Sequence, residues 1–163
     1  MNSEYDKTMV LEPAPAPTLA GLMRTPRAEL AALYGRSQPG PIPHGESDGL
    51  ASAAPGTAAG RFSQAVFGIC WQGKVFDREA GALVNKIAGF IRNVPAKVFV
   101  GESWFDGKPA VIIDYKGVSV LCAPVRDEIR RVGPDLYLGF AYVRTPGKPV
   151  APLMFALDFS RSK

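Results

Sequence analysis

The chain has 163 residues, 47% hydrophobic and 21% charged, with a formal net charge of +4. These values predict one globular domain with a core of its own and argue against a wholly disordered chain. Two cysteines without CxxC spacing and a single histidine are too few for a Cys/His zinc site, and the scattered basic residues lack the clustering of a nucleic-acid binder. We therefore expect no metal, no cofactor and no nucleic-acid partner.

The N-terminal sequence MNSEYDKTMVLEPAPAP lacks a basic segment followed by an apolar one, so it predicts no secretory signal. Its PAPAP run favours an extended, flexible tail over residues 1–17, which leaves residues 18–163 as the single domain. Apolar runs elsewhere are shorter than the ~18 residues that a membrane-spanning helix needs. These features favour a cytoplasmic location without a membrane span.

Residues 18–34, TLAGLMRTPRAELAALY, carry the apolar spacing of helices. Thr25 followed by Pro26 is a helix-start signal, and Glu29 in the following turn supports it. Gly35 is a natural end. The segment predicts two short helices, or one helix that is interrupted before Pro26.

Residues 36–60 are rich in Gly, Pro and Ser and predict a long loop, with room for one short strand around Gly49 to Ala53. A connection of this length is often functional, and we expect it to act as a lid. His44 lies within it, and a lone histidine in a loop is most often incidental.

From residue 62 onward the sequence is typical of β-strands that are joined by turns, and Asp106-Gly107 is a strong hairpin signal. No long helical pattern separates the runs, so we expect a mainly β fold: an antiparallel meander that forms a lipocalin-like or calycin-like barrel or half-barrel. Such a barrel has room inside for side chains or one small ligand. Predicted strands lie at 62–71, 96–105, 109–117, 118–125, 127–132, 136–144 and 153–160, and Asp77 and Asn85 are interpreted as turn formers around 78–84.

The string CWQGKVFD at residues 70–77 resembles the Trp/Gly strand signature of small bacterial lipocalin-like proteins of the GXWXG type. Between Gly68 and Trp71 the chain has one residue more than that motif. The later strings GESWFDGKPAVIIDYKG, VRDEIRRVGPDLYLGFAYVR and FALDF resemble one uncharacterised bacterial family of small β-barrel proteins, over residues 39–160. The resemblance implies a barrel fold and implies no particular activity.

Asp114 and Arg126 are the candidate catalytic residues. Asp114 ends an apolar run, so its carboxylate lies either at the strand end in water or inside the barrel, where it would suit acid/base chemistry. Arg126 belongs to a dense charge cluster that forms ion pairs, or else it reaches inwards and clamps a substrate carboxylate. Lys97 lies across the predicted hairpin from Asp114, within diagonal reach.

Trp71, Lys97, Trp104 and Tyr142 are the candidate ligand-binding residues. The aromatic ones combine an apolar ring with a polar tip, which suits a cavity wall and equally an ordinary core. Strand alternation places Tyr142 on one face with Leu136, Leu138 and Phe140, and Tyr137 on the opposite face. If the Leu-rich face is the core, Tyr142 points inwards.

Three functions follow from these patterns. The first is a barrel that binds a hydrophobic or amphipathic small molecule. The second is a cofactor-free lyase, isomerase or cyclase that uses Asp114 and Arg126, which requires both side chains to face one cavity. The third is a protein-interaction module that docks a partner through its tail and loop. The oligomeric state stays open, a homodimer included.

Overall fold

The computed structural model describes residues 17–87 and 94–162, so the tail predicted for residues 1–17 lies almost entirely outside the described residues. Within them, nine antiparallel strands form one sheet that curls into a nearly closed barrel, as the sequence predicts, with the strand order β1-β3-β4-β5-β6-β7-β8-β9-β2. The strands are β1 (Gly45–Glu46), β2 (Asp48–Ser52), β3 (Trp71–Asp77), β4 (Ala82–Ile87), β5 (Pro95–Glu102), β6 (Pro109–Asp114), β7 (Val125–Arg131), β8 (Leu136–Val143) and β9 (Val150–Asp158).

Residues 45–52 bring the two edges of the sheet together. β1 pairs with β3, and β2 pairs with β9. A single residue, Ser47, separates β1 from β2. Ser47 between them is tied to Lys74: its backbone N–H and its hydroxyl both donate to the Lys74 carbonyl at 2.9 Å, and the Lys74 N–H donates to the Ser47 hydroxyl at 3.0 Å. The short strand that the sequence predicts inside the long loop is therefore β2, and it helps to close the barrel.

Two short helices precede the barrel, α1 (Leu19–Arg24) and α2 (Arg27–Arg36), and the chain breaks between them at Pro26 as expected. Both helices pack on the outer face of β8 and β9. This packing creates a second core outside the barrel, built from Leu22, Met23, Leu30, Tyr34, Leu136, Leu138, Phe140, Tyr142, Met154 and Ala156.

The barrel interior is the main core. Val111 and Ile113 of β6 point into it, as do Ile129 of β7 and Tyr137 of β8. Tyr142 packs instead in the outer core, so the Leu-rich face of β8 faces the helices and not the barrel interior. Because both faces of these strands are covered, alternation alone does not distinguish the inside of the barrel from the outside.

A third helix, α3 (Ala58–Cys70), replaces the strand that the sequence predicts at 62–71. The Thr57 side chain accepts a hydrogen bond from the Gly60 N–H at 2.9 Å, which caps the helix start. The large apolar residues Phe62, Val66 and Ile69 follow with i, i+4, i+7 spacing, which is a helical period. The prediction of a strand there is wrong because an apolar run without alternation does not distinguish the two structures.

The strand predicted at 118–125 is also wrong, since residues 116–124 form turns and β7 begins only at Val125. The register of the sheet places the connections 53–70, 115–124 and 144–149 at one end of the barrel, which we call the mouth.

Among the described residues, none of the α-helices has the length and hydrophobicity that a membrane span requires.

Candidate functional site

A cavity of about 180 Å³ lies inside the barrel near the mouth. Its apolar wall consists of Ala51, Phe67, Trp71, Ala141, Leu153 and Phe155, and its polar side chains are Lys74, Asn85, Tyr115 and Asp127. We call these four side chains the polar cluster.

The polar cluster is assembled from neighbouring strands. Lys74 of β3 and Asn85 of β4 are paired in the sheet register, Tyr115 follows the last residue of β6, and Asp127 belongs to β7. A register shift between Trp71 and Gly73 interrupts the alternation of β3, and both Trp71 and Lys74 line the cavity. The positions of these residues on neighbouring strands therefore bring four polar side chains together inside an otherwise apolar barrel.

The ammonium group of Lys74 is fully engaged. Its Nζ donates to Asn85 Oδ1 at 2.7 Å, to Tyr115 Oη at 2.6 Å and to Asp127 Oδ2 at 2.9 Å. An ammonium group has three protons, so these contacts use all of its donors. The residue is only 2% exposed, and the aromatic ring of Trp71 lies 5.4 Å from Nζ.

Among the described residues that line the cavity, the charged side chains are Lys74 and Asp127, which form an ion pair. Burial by itself lowers the pKa of the Lys74 ammonium, but Asp127 and Tyr115 outweigh burial and hold that pKa above its ordinary value. Burial first, and then the charge of Asp127, raises the pKa of the Tyr115 phenol. Both groups therefore keep their protons at neutral pH.

Within the polar cluster, Asp127 has one carboxylate oxygen without a hydrogen-bond partner. Its Oδ2 accepts from Lys74 and lies 3.1 Å from Tyr115 Oη, while its Oδ1 is buried and has no hydrogen-bond partner among the described residues. A buried carboxylate oxygen without a donor is costly, so Asp127, which is one of the residues that line the cavity, would gain from a hydrogen-bond donor there. In the described part of the chain, no three His, Cys, Asp or Glu side chains lie together in a way that could hold a metal ion.

Asp114 lies at the end of β6 on the outer face, where Arg144 donates to both of its carboxylate oxygens at 2.8 Å. It also accepts from the Lys116 N–H, as a strand-end residue that caps a turn does. Lys97 lies directly opposite Asp114 in the register, rather than diagonally, and is exposed. None of these side chains faces the cavity.

Arg126 also lies on the outer face. It donates to Glu128 Oε2 at 3.0 Å and to the Glu102 carbonyl at 2.7 Å, and its guanidinium lies 4.2 Å from the ring of Trp104. The Trp104 ring in turn meets Tyr142 edge to face at 5.6 Å. The structure thus brings Arg126, Trp104 and Tyr142 together outside the barrel. Of the six residues predicted as catalytic or ligand-binding, only Trp71 lines the cavity.

The polar cluster was not found from the sequence. Asn85, interpreted as a turn former, is a buried residue of β4 whose Oδ1 accepts from Lys74 and from Trp71 Nε1, whereas Asp77 does cap its turn. One signal was available, because Asp127 alternates with the apolar residues Val125 and Ile129. That signal is ambiguous, since the neighbouring Glu128 is also fully buried, on the opposite face.

Comparison with known proteins supports the fold. No family model and no curated protein matches the chain. A solved structure of a protein from Thermomonospora curvata is similar, with a TM-score of 0.52 and 20% sequence identity over 82% of this chain and 87% of that chain. At this level of identity the likeness concerns the barrel fold alone, which is compatible with ligand binding.

Proposed function

We propose that the protein binds a small molecule inside the barrel, with the apolar wall around the body of the ligand and the polar cluster against its polar end. The observation that carries this proposal is that Asp127, whose buried Oδ1 has no partner among the described residues, is one of the residues that line the cavity near the mouth. A few convergent polar groups in a mostly apolar pocket are typical of ligand sites.

The volume limits the size of the ligand. Sites for drug-sized molecules usually measure roughly 300–1,000 Å³, and the cavity here measures about 180 Å³. A ligand of about one ring with a short substituent suits this space.

Among the residues chosen from the sequence, Trp71 is retained as a ligand-binding residue. We assign Asp114 and Arg126 a structural role, because their charges are engaged in ion pairs on the outer face. Trp104 and Tyr142 also lie on the outer face, where the Trp104 ring contacts both Arg126 and Tyr142. The acid/base hypothesis loses its support there, because it required Asp114 and Arg126 to face one cavity.

The proposal is tested by filling the cavity. Ala141 lines the wall, so Ala141→Phe places a ring in the space that the ligand needs. Toluene serves as a probe without polar groups, and its binding is followed by chemical-shift changes in the folded protein. We expect saturable binding to the wild type and at least ten-fold weaker binding to the variant.

Ala80→Phe is the matched control, since it makes the same substitution at an exposed turn at the end of the barrel opposite the mouth. This variant should bind toluene as the wild type does. Equal affinity of folded Ala141→Phe and wild type would contradict a binding site in the cavity.

A further inference from the structure

We infer that the ligand presents a hydrogen-bond donor to Asp127 and is neutral or cationic: a small alcohol or amine with an apolar body, and not a carboxylate or other anion. This inference rests on the proposed function, since it names the class of ligand for the same cavity. A lysine inside a barrel would at first suggest an anion, and the contacts of this lysine argue otherwise.

Lys74 has no proton left for an anion. Its three donors point at Asn85, Tyr115 and Asp127, over distances of 2.6–2.9 Å. An anionic ligand would have to displace one of these acceptors and leave it buried without a donor, which is unfavourable. The Lys74 ammonium therefore binds the other members of the polar cluster and has no free donor for a ligand in the cavity.

The other donors around the cavity are engaged as well. The two protons of Asn85 Nδ2 face the Val94 carbonyl and Tyr115 Oη, both at 3.0 Å, and Trp71 Nε1 donates to Asn85 Oδ1 at 3.2 Å. The Tyr115 hydroxyl lies within reach of Asp127 Oδ2 at 3.1 Å and of Asn85 Oδ1 at 3.3 Å. In this cluster the atom without a partner is an acceptor, Asp127 Oδ1.

Charge favours the same class of ligand. The Lys74 charge is matched by Asp127, so an added anion would meet an unshared carboxylate oxygen in apolar surroundings, where like charges repel strongly. An ammonium group would instead be attracted to that oxygen, and the face of an aromatic ring also attracts a cation; Trp71 and Phe155 form part of the wall.

Four probes of nearly equal size separate the alternatives: benzyl alcohol, benzylamine, benzaldehyde and benzoate. The first two donate a hydrogen bond, the third only accepts, and the fourth is an anion. Dissociation constants are measured for the intact protein by chemical-shift titration at pH 7. We expect benzyl alcohol and benzylamine to bind about ten-fold or more tightly than benzaldehyde and benzoate.

Asp127→Asn sharpens the test. Lys74 holds the amide oxygen, so the amide N–H₂ takes the place of Oδ1 and turns an acceptor into a donor. We expect the ranking to reverse in this variant, with benzaldehyde bound more tightly than benzylamine. Asp114→Asn removes a carboxylate on the outer face and should leave the wild-type ranking unchanged.

The order of the four dissociation constants for the wild type tests the inference even if Asp127→Asn fails to fold. Benzoate as the tightest ligand, or four equal affinities, would overturn the inference and leave binding in the cavity intact. Binding of toluene with none of the four polar probes would also overturn it, with water as the partner of Oδ1. Failure of toluene and all four probes would remove the proposed function itself.

Discussion

Lys74 and Asp127 show what a buried charge requires of its surroundings. The ammonium has three oxygen acceptors, and the carboxylate is shared between Lys74 and Tyr115 through one oxygen only. A buried ion pair is weak evidence for stability, because desolvation offsets much of the attraction. The incomplete contacts of Asp127 are more informative, since a cluster that only fills a core is expected to satisfy both oxygens of a buried carboxylate.

Alkaline pH should destabilise the protein through this cluster. The pKa of Lys74 and the pKa of Tyr115 are both raised in the folded state, so above about pH 10 the unfolded chain releases protons that the folded chain keeps. Stability is fully present below about pH 10 and falls as the pH rises further. Of the loss that urea unfolding measures between pH 8 and pH 11, these two groups should contribute roughly 2 kcal/mol, and Tyr34, Tyr137 and Tyr142, whose pKa values are also raised, add to it.

Tyr115→Phe identifies the source of this loss. The variant lacks the phenol proton, so its free energy of unfolding should fall by about 1 kcal/mol less than that of the wild type over the same pH range. The same decline in both proteins would show that Tyr115 does not take part in the alkaline transition.

At the scale of elements, the junction of β1 and β2 with β3 depends on one glycine. Gly73 has a φ of 135°, and a Cβ there would overlap the Ser47 carbonyl oxygen. The absence of a side chain lets the two backbones approach, which closes the barrel beside Lys74. A glycine inside β3 thus determines the position of the polar cluster.

Gly73→Ala should lower the free energy of unfolding by about 3 kcal/mol, because it combines a strained φ with a backbone clash. The matched control is Gly68→Ala, in α3, where no atom lies within 4 Å of the added Cβ. That substitution should raise stability by about 0.5–1 kcal/mol, since alanine favours helices over glycine. Similar urea midpoints for the two variants would contradict this account of the junction.

The N-terminal helices are held to the barrel by polar contacts as well as by the outer core. Tyr34 of α2 donates to Glu128 at 3.1 Å, and the hydroxyl of Ser103 donates to the same carboxylate. Arg130 donates to both carboxylate oxygens of Asp106 at 2.6–2.8 Å. Arg126, Glu128 and Arg130 of β7 therefore belong to a buried network under α2 and the 103–108 turn.

At the scale of the whole molecule, local chemistry in the sequence predicts much of the fold. Pro26 separates the two helices, and the 103–108 turn contains Gly107 at a φ of 73°. The spacing of apolar runs predicts an antiparallel barrel. α3 was missed because its apolar run fits a strand and a helix equally well.

The candidate site was harder to predict because it depends on which face of each strand is inside. The helices cover the outer face of β8 and β9, so Tyr142 is buried outside the barrel while Tyr137 is buried inside it. Asp127 and Glu128 are adjacent, buried and on opposite faces. Only the tertiary packing of the N-terminal helices decides which carboxylate lines the cavity.

The two tryptophans of the chain permit the most direct test of binding inside the barrel. Trp71 lines the cavity, and Trp104 lies on the outer face beside Arg126. The measurement is a titration with benzyl alcohol, followed through the two indole N–H resonances. We expect a saturable shift of the Trp71 signal and a nearly constant Trp104 signal. A Trp71 signal that does not respond, or a saturable response of Trp104 alone, would contradict a ligand site in the barrel interior.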